Sequence, residues 1–141
     1  MLILDTDHFS VVVDRRHRMH GRLLAELAAT TDEVAVSVIT LEEQLRAWLA
    51  AVRRSHKVRD QIAPYDRLLQ VLDHTSEWET IRFGEPAAEI FELLRKAKVR
   101  IGTQDLKIAS ICLAQDAILL SANLRDFEQV PGLRIENWLH A

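Results

Sequence analysis

The first seven residues constrain the fold of this chain more than any other stretch. Leu2, Ile3 and Leu4 form a short apolar run that predicts a β-strand buried on both faces, as in a parallel sheet. Asp5 ends the run, and Asp7 follows two residues later. Open α/β sheets bind ligands beyond the carboxyl ends of their strands, so this position predicts a functional site. A lone buried carboxylate is costly unless it is paired or metal-bound, and further acids are therefore expected nearby.

Short apolar strands alternate with amphipathic helices along the rest of the chain. Further strands are predicted at 34–36, 78–83, 117–120 and 133–135, and helices at 6–13, 18–30, 41–54, 64–75, 86–98 and 104–115. The candidate helix N-caps are Thr6 or Asp7, Ser37 or Thr40, and Thr103. This alternation predicts a parallel sheet covered by helices on both faces. The whole chain, residues 1–141, is expected to form one α/β domain.

Composition narrows the functional classes. The 48% hydrophobic and 28% charged residues are those of an ordinary globular protein. The single cysteine, Cys112, excludes an internal disulfide framework and is typical of a reducing cytosol. The N-terminus has no basic region followed by a long apolar run, and no stretch reaches the roughly 20 apolar residues of a membrane span. We therefore expect a cytoplasmic protein without a membrane partner.

The basic residues are clustered, although the net charge of −3 argues weakly against a nucleic-acid partner. An acidic pocket ringed by basic patches is compatible with binding a phosphate backbone around metal ions. Solvated helix faces are the commoner reason for such clusters, and this alternative stays open. The clusters are Arg15, Arg16, Arg18 and Arg22; Arg46, Arg53, Arg54, Lys57 and Arg59; and Arg95, Lys96, Lys98 and Arg100.

Two later acids occupy settings similar to that of Asp5. Asp105 is the N-terminal member of the apolar stripe of the predicted helix 104–115. A carboxylate that only complemented the helix dipole would not need to lie on that stripe, which favours a functional role. Asp126 follows the strand 117–120 and would share the sheet edge of Asp5 if the two strands are neighbours.

The segment around Asp126 has two interpretations. Ser121 and Asn123 would face the same pocket and offer neutral hydrogen-bonding groups. Alternatively, Asn123 and Asp126 form a helix-capping arrangement without a functional role.

Periodicity does not separate Glu42 from Glu43. Glu42 borders the apolar face of the predicted helix 41–54, which slightly favours it as the inward-pointing acid. Glu43 heads a stripe of small residues, where another element could pack closely. A solvated first helical turn would account for both acids.

Carboxylates that converge without histidine or cysteine ligands predict a hard cation, Mg²⁺ or Mn²⁺. Such an ion lowers the pKa of bound water, orients a phosphate and offsets charge on the leaving oxygen, which suits phosphodiester chemistry. The six histidines show no zinc spacing beyond the weak pair His17 and His20. The chain has neither a glycine-rich phosphate loop nor a nucleophile elbow.

Four segments resemble the acidic motifs of PIN-domain nucleases, in particular the VapC-type ribonuclease toxins of prokaryotic toxin–antitoxin pairs. The segments are 2–7, 38–43, 102–109 and 120–127. Each is weak alone, but together they cover nearly the whole chain in order and at fitting spacings. The resemblance implies one PIN-like domain, a parallel five-stranded sheet sandwiched by helices. It also implies an endoribonuclease that cleaves RNA phosphodiester bonds with a water activated by Mg²⁺ or Mn²⁺.

The resemblance also implies the site residues and partners. The metal-binding and catalytic acids would be Asp5, Glu43, Asp105 and Asp126, and the side chains that orient them Ser121, Asn123 and Asp7. In the glutamate motif the acid follows threonine by three residues, which selects Glu43 over Glu42. Asp7 stands where many relatives carry asparagine, so it adds a fifth acid or only a local hydrogen bond. The implied partners are RNA, a second copy of the chain in a homodimer, and a cognate antitoxin that reaches into the acidic groove.

Two other functions stay open. Asp5 and Asp7 also resemble the nucleophile and the acid–base of haloacid-dehalogenase-type phosphatases. That class needs a later lysine and a paired acidic motif; Lys107 is the only lysine after Arg100, and 121–127 contains no adjacent acids. The other alternative is a non-catalytic PIN-like binding module whose acids are retained as helix caps.

Overall fold

The predicted central strand, β1 (Leu2–Leu4), lies in the middle of a five-stranded sheet in the computed structural model, which describes residues 1–140. All four strand pairings are parallel, in the order β3-β2-β1-β4-β5. The remaining strands are β2 (Val34–Ser37), β3 (Glu79–Ile81), β4 (Ile118–Leu120) and β5 (Arg134–Glu136). The expectation of a parallel five-stranded sheet is confirmed, and β3 is shorter than predicted.

Helices cover both faces of the sheet. They are α1 (Thr6–Val13), α2 (His20–Ala29), α3 (Val38–Arg54), α4 (Ile62–Glu77), α5 (Glu85–Lys96), α6 (Thr103–Ala114) and α7 (Leu124–Phe127), with a 3₁₀ turn at Val58–Gln61. Alternate residues of β1 point to opposite faces, as the pleat requires. Ile3 packs with α5 and α6, whereas Leu2 and Leu4 pack with α1 and α2. None of the helices in residues 1–140 combines the length and apolar character needed to cross a bilayer.

The N-caps of two helices differ from the prediction at the edge of the sheet where the strands end, although α1 has the predicted bounds. Asp5, not Thr6 or Asp7, caps α1, because its Oδ1 accepts the backbone N–H of Thr6 at 2.8 Å. Gly102 precedes α6, and Thr103 does not cap it. Asp5, which the sequence predicts only as the end of a strand, is thus also held by a backbone N–H of the helix that follows it.

The start of α3 is set by Ser37, the last residue of β2. Its hydroxyl accepts the backbone N–H of Thr40 at 3.1 Å, which confirms one of the two predicted caps. The helix therefore begins at Val38, three residues before the predicted start. With no loop between β2 and α3, the first turns of α3 lie directly beyond the edge of the sheet.

Candidate active site

Asp5 and Ser121 meet where two neighbouring strands end, because they directly follow β1 and β4. Asp5 is 6% exposed, and its backbone N–H donates to the carbonyl of Leu120 at 2.9 Å. Its Oδ1 caps α1, while its Oδ2 accepts the Ser121 hydroxyl at 2.7 Å. Both carboxylate oxygens of Asp5 are therefore held by residues that the sheet register brings together.

Asp7 lies in the first turn of α1 and is hydrogen-bonded on both oxygens. Its Oδ1 accepts the backbone N–H of His8 at 2.6 Å and lies 2.7 Å from the ring Nδ1 of the same residue. Its Oδ2 accepts the backbone N–H of Ala122 at 2.9 Å and lies 3.4 Å from the Ser121 hydroxyl. Asp7 thus connects α1 to the segment that follows β4.

The Asn123 amide joins the two acids of the later motifs. Its Nδ2 lies 3.1 Å from Oδ2 of Asp126 and 3.4 Å from Oδ2 of Asp105. Asn123 occupies the N-cap position of α7 but makes no side-chain capping bond. The helix-capping alternative therefore lacks the side-chain hydrogen bond that would define it. The Asn123 amide instead connects the acid of α6 to the acid of α7.

The two adjacent glutamates are held in different ways. Oε1 of Glu43 accepts the Thr6 hydroxyl at 2.8 Å, next to the acids of β1 and α1. Glu42 is 42% exposed in its side chain and accepts Nε2 of Gln104 at 2.8 Å and Nη2 of Arg46 at 2.7 Å. The Gln104 hydrogen bond, and then the positive charge of Arg46, lowers the pKa of Glu42. Glu43 is therefore the glutamate that contacts the residue between Asp5 and Asp7. Glu42 is instead hydrogen-bonded to Gln104 and Arg46.

Burial and mutual repulsion raise the pKa of two of these acids. Burial, followed by the charge of Asp7, raises the pKa of Asp5 to about 7 against the opposing hydrogen bonds from Ser121 and Thr6. Burial, followed by the charges of Glu43 and Asp126, raises the pKa of Asp105. The acids from the four motifs thus share one electrostatic environment.

No cation balances these charges within the described residues. The ion pairs found in residues 1–140 include none to the four acids that the resemblance assigned. In that same part of the chain, no three histidine, cysteine, aspartate or glutamate side chains are close enough together to enclose an ion. Hydroxyl and amide groups lie between the carboxylates instead. The donor set fits Mg²⁺ or Mn²⁺ by type, and a divalent cation would relieve the repulsion that raises the two pKa values.

Three residues contact the acids although sequence reasoning did not assign them to the site. Thr6 donates to Glu43, His8 contacts Asp7, and Gln104 donates to Glu42. Their positions next to assigned acids are the only sequence signal, because the Thr6 and Gln104 contacts join different elements of the fold and the His8 contact depends on a side-chain direction.

Comparison with known proteins agrees with this geometry. The profile of the PIN domain family matches residues 2–133. The chain belongs to this family.

Relatives include ribonuclease VapC2 of Haemophilus influenzae, 32% identical over 139 residues and 97% of each chain. Another is the tRNA(fMet)-specific endonuclease VapC of Salmonella typhimurium, 33% identical over 111 residues and 77% of each chain. The solved DNA-bound VapBC of Salmonella typhimurium has a TM-score of 0.75 at 26% identity and covers 97% of each chain. The resemblance to VapC-type PIN domains is confirmed.

The raised pKa of Asp5 predicts how the stability of the metal-free protein depends on pH. Between the ordinary value of 3.8 and about 7, the folded protein binds a proton that the unfolded chain has released. Stability should therefore fall as the pH rises through this window, by on the order of 3 kcal/mol for this group. Asp5→Asn removes the charge and keeps an oxygen to cap α1, so it should be more stable than the wild type at pH 8. Urea unfolding in excess chelator from pH 5 to pH 8 measures both effects.

The matched control for this measurement is Asp66→Asn, because Asp66 is an exposed acid on α4. It should leave the pH profile of the wild type unchanged. If Asp5→Asn keeps the full pH dependence of the wild type, the burial of an ionisable Asp5 does not limit stability, and the electrostatic description of the site is wrong.

Proposed function

We propose that this chain is a metal-dependent endoribonuclease and the toxin of a type II toxin–antitoxin pair. The observation that carries the proposal is the electrostatic coupling of acids from four separate segments at the carboxyl edge of the sheet, without a balancing lysine or arginine in residues 1–140. The relatives named as ribonuclease and as tRNA-specific endonuclease support RNA as the substrate. The cytoplasmic location expected from the composition stays a prediction.

The proposed metal ligands are the acids of the four motifs, with Mg²⁺ or Mn²⁺ as the cation. Asp5 and Asp105 are the acids with raised pKa values, and we propose that they bind the ion directly. Glu43 and Asp126 would complete the coordination directly or through water. When bound, such an ion supplies a Lewis acid that lowers the pKa of water and offsets charge on a phosphodiester.

The remaining polar side chains would orient the carboxylates. Ser121 donates to Asp5, Thr6 donates to Glu43, and Asn123 donates to Asp126 and Asp105. Hydrogen bonds from such partners fix the rotamer of each acid before the substrate arrives.

The phosphatase alternative finds little support in the surroundings of Asp5. A phosphorylated aspartate needs a nearby lysine, but the charges that shift the pKa of Asp5 come from Asp7 and Asp105. The charge of Lys107 acts on Glu42 at the margin of the site. The binding-module alternative predicts acids that serve as helix caps, and only Asp5 does so among the four.

The deciding experiment is end-group analysis of RNA cleaved by the purified protein, with Mg²⁺ or Mn²⁺ and in excess chelator. Attack by water on the phosphorus with the 3′-oxygen as the leaving group gives a 5′-phosphate and a 3′-hydroxyl, and we expect these ends in the metal-containing reaction only. A 2′,3′-cyclic phosphate, or full activity in chelator, would mean attack by the ribose 2′-hydroxyl and a different mechanism. Hydrolysis of a small phosphomonoester without RNA cleavage would support the phosphatase, and the absence of both activities would support the binding module.

A matched pair of substitutions tests the assignment of the glutamate. Glu43→Gln should lower cleavage by at least about 100-fold, because it removes a carboxylate from the proposed site. Glu42→Gln changes the adjacent residue in the same way and should retain most of the activity, because Glu42 is engaged by Gln104 and Arg46. Initial rates on one RNA at saturating Mn²⁺ compare the two. The opposite order of activities would contradict the assignment.

The implied partners also have candidate surfaces. Every member of the three basic clusters is exposed, which leaves them available to RNA. On α3, an apolar groove of about 610 Å³ includes Leu45 and Leu49 and is bordered by Arg46 and Arg53. The solved VapBC assembly supports an antitoxin as a partner, and we propose that such a partner also binds this chain.

The proposed homodimer has a distinct candidate surface on α4. Four large apolar side chains there are about half exposed or more and recur at spacings of three and four residues, so they form one stripe along the helix. They are Ile62 (55%), Tyr65 (52%), Leu69 (62%) and Leu72 (47%).

A double substitution tests this surface. Replacing Leu69 and Leu72 by aspartate should convert a dimer into a monomer, because it places charges within the apolar stripe. Light scattering after size-exclusion chromatography measures the change. Leu93→Asp is the control, since Leu93 is 63% exposed on α5. A monomeric wild type would contradict the homodimer, and dissociation by the control alone would move the interface to α5.

A further inference from the structure

His8 is completely buried although it adjoins the acidic site, and its ring connects two distant parts of the chain. Its Nδ1 lies 2.7 Å from Oδ1 of Asp7. Its Nε2 lies 3.1 Å from the backbone nitrogen of Trp138, in the segment that follows β5. The ring is therefore hydrogen-bonded on both of its nitrogens.

The contact with Trp138 determines which ring nitrogen carries the proton. A backbone N–H can only donate, so Nε2 of His8 must be the acceptor and carry no hydrogen. In the neutral imidazole the hydrogen then lies on Nδ1, which donates it to Asp7. The two hydrogen bonds therefore have a fixed direction, from Trp138 to His8 and from His8 to Asp7.

Asp7 connects the His8 ring to the loop after β4. Its other oxygen accepts the backbone N–H of Ala122 at 2.9 Å. The next residue is Asn123, whose backbone N–H donates to the Ser121 hydroxyl and whose amide contacts Asp105 and Asp126. The position of the Asp7 carboxylate therefore fixes the backbone that presents the Asn123 amide.

The segment after β5 is itself anchored to the body of the protein. The carbonyl of His140 accepts a hydrogen bond from Nη1 of Arg22 at 3.0 Å. Within the segment, the backbone N–H of Leu139 donates to Oδ1 of Asn137 at 2.8 Å. Trp138 and Leu139 pack against the core on the α1 and α2 side of the sheet. The N–H of Trp138 is thus presented to His8 by a segment whose position is defined.

We propose that His8 is a positioning residue for the acidic site, held in its Nδ1–H tautomer by the segment 137–140. Through Asp7, it fixes the loop that presents Ser121 and Asn123 to the acids. This inference rests on the proposed function for its effect on RNA cleavage, but the tautomer and the effect on metal affinity are properties of the chain itself. A buried imidazole needs a partner for each ring nitrogen in any role, but the partners of His8 are Asp7 and Trp138, which join the acidic site to the segment 137–140.

Two substitutions at His8 separate positioning from packing. His8→Asn keeps an amide N–H close to the position of Nδ1, whereas His8→Leu keeps the apolar volume and loses the donor. Calorimetric titration with Mn²⁺ alone should show affinity at least about 10-fold weaker for His8→Leu and within about 3-fold of the wild type for His8→Asn, the usual range for residues that orient ligands. On RNA, His8→Leu should lower kcat and leave KM within about 2-fold of the wild type, because the acids, not the RNA-binding surface, are displaced.

His20→Leu provides the matched control. The ring of His20 contacts the carbonyl of Val11 at 2.9 Å and has no hydrogen bond to any of the acids. This variant should bind Mn²⁺ as the wild type does, and circular dichroism should show all three variants folded. Equal Mn²⁺ affinity in His8→Leu and the wild type would overturn the positioning role, as would equal losses in His8→Leu and His8→Asn.

A measurement that needs neither metal nor RNA tests the origin of the effect. Long-range ¹H–¹⁵N correlation spectra of the imidazole should show His8 protonated on Nδ1, and ending the chain at Asn137, which removes the Trp138 N–H, should abolish this fixed tautomer. Protonation on Nε2 in the intact protein would overturn the inference. If the wild type cleaves no RNA, the proposed function fails, whereas the tautomer still decides whether the segment 137–140 orients His8.

Discussion

The pairing of β1 between β2 and β4 is the constraint on which the rest of the structure depends. Each residue of this three-residue strand is buried and has a partner on both sides. Because parallel strands end at one edge, the pairing places Asp5 beside Ser121 and beside the start of α3. Strand partners that are distant in sequence must assemble before these contacts exist, so the site forms only once β1, β2 and β4 are paired.

The clustered acids oppose folding, and the structure offsets only part of that effect. Hydrogen bonds from Ser121 and Thr6 favour the ionised form of Asp5, yet burial and the charge of Asp7 outweigh them and raise its pKa to about 7. The buried core on both faces of the sheet has to supply the stability that holds these charges together. Such local destabilisation is common where a protein keeps a strained or charged site for its function.

Much of this fold could be read from the sequence, because buried strands and amphipathic helices have strong periodic signals. The apolar runs predict β1 and β4 to within one residue, and the resemblance points to acids whose charges act on one another in the structure. The contacts of Thr6 and His8 could not be predicted, since they depend on side-chain directions across different elements. Periodicity does not separate Glu42 from Glu43 for the same reason, because the Gln104 side chain of α6, which periodicity does not place, hydrogen-bonds Glu42. Helix starts were misplaced where a strand runs into a helix without a loop, as at Ser37.

The two ends of the described chain lie in different positions relative to the acidic site. The Met1 carbonyl accepts the N–H of Ile118 at the start of β1, the end of the sheet opposite the acids. A purification tag or reporter joined before Met1 therefore leaves the protein far from the site. One joined at the other end of the chain follows the segment 137–140, in which the Trp138 N–H contacts His8 next to Asp7. A fusion partner joined before Met1 therefore leaves the contacts of the segment 137–140 with His8 untouched.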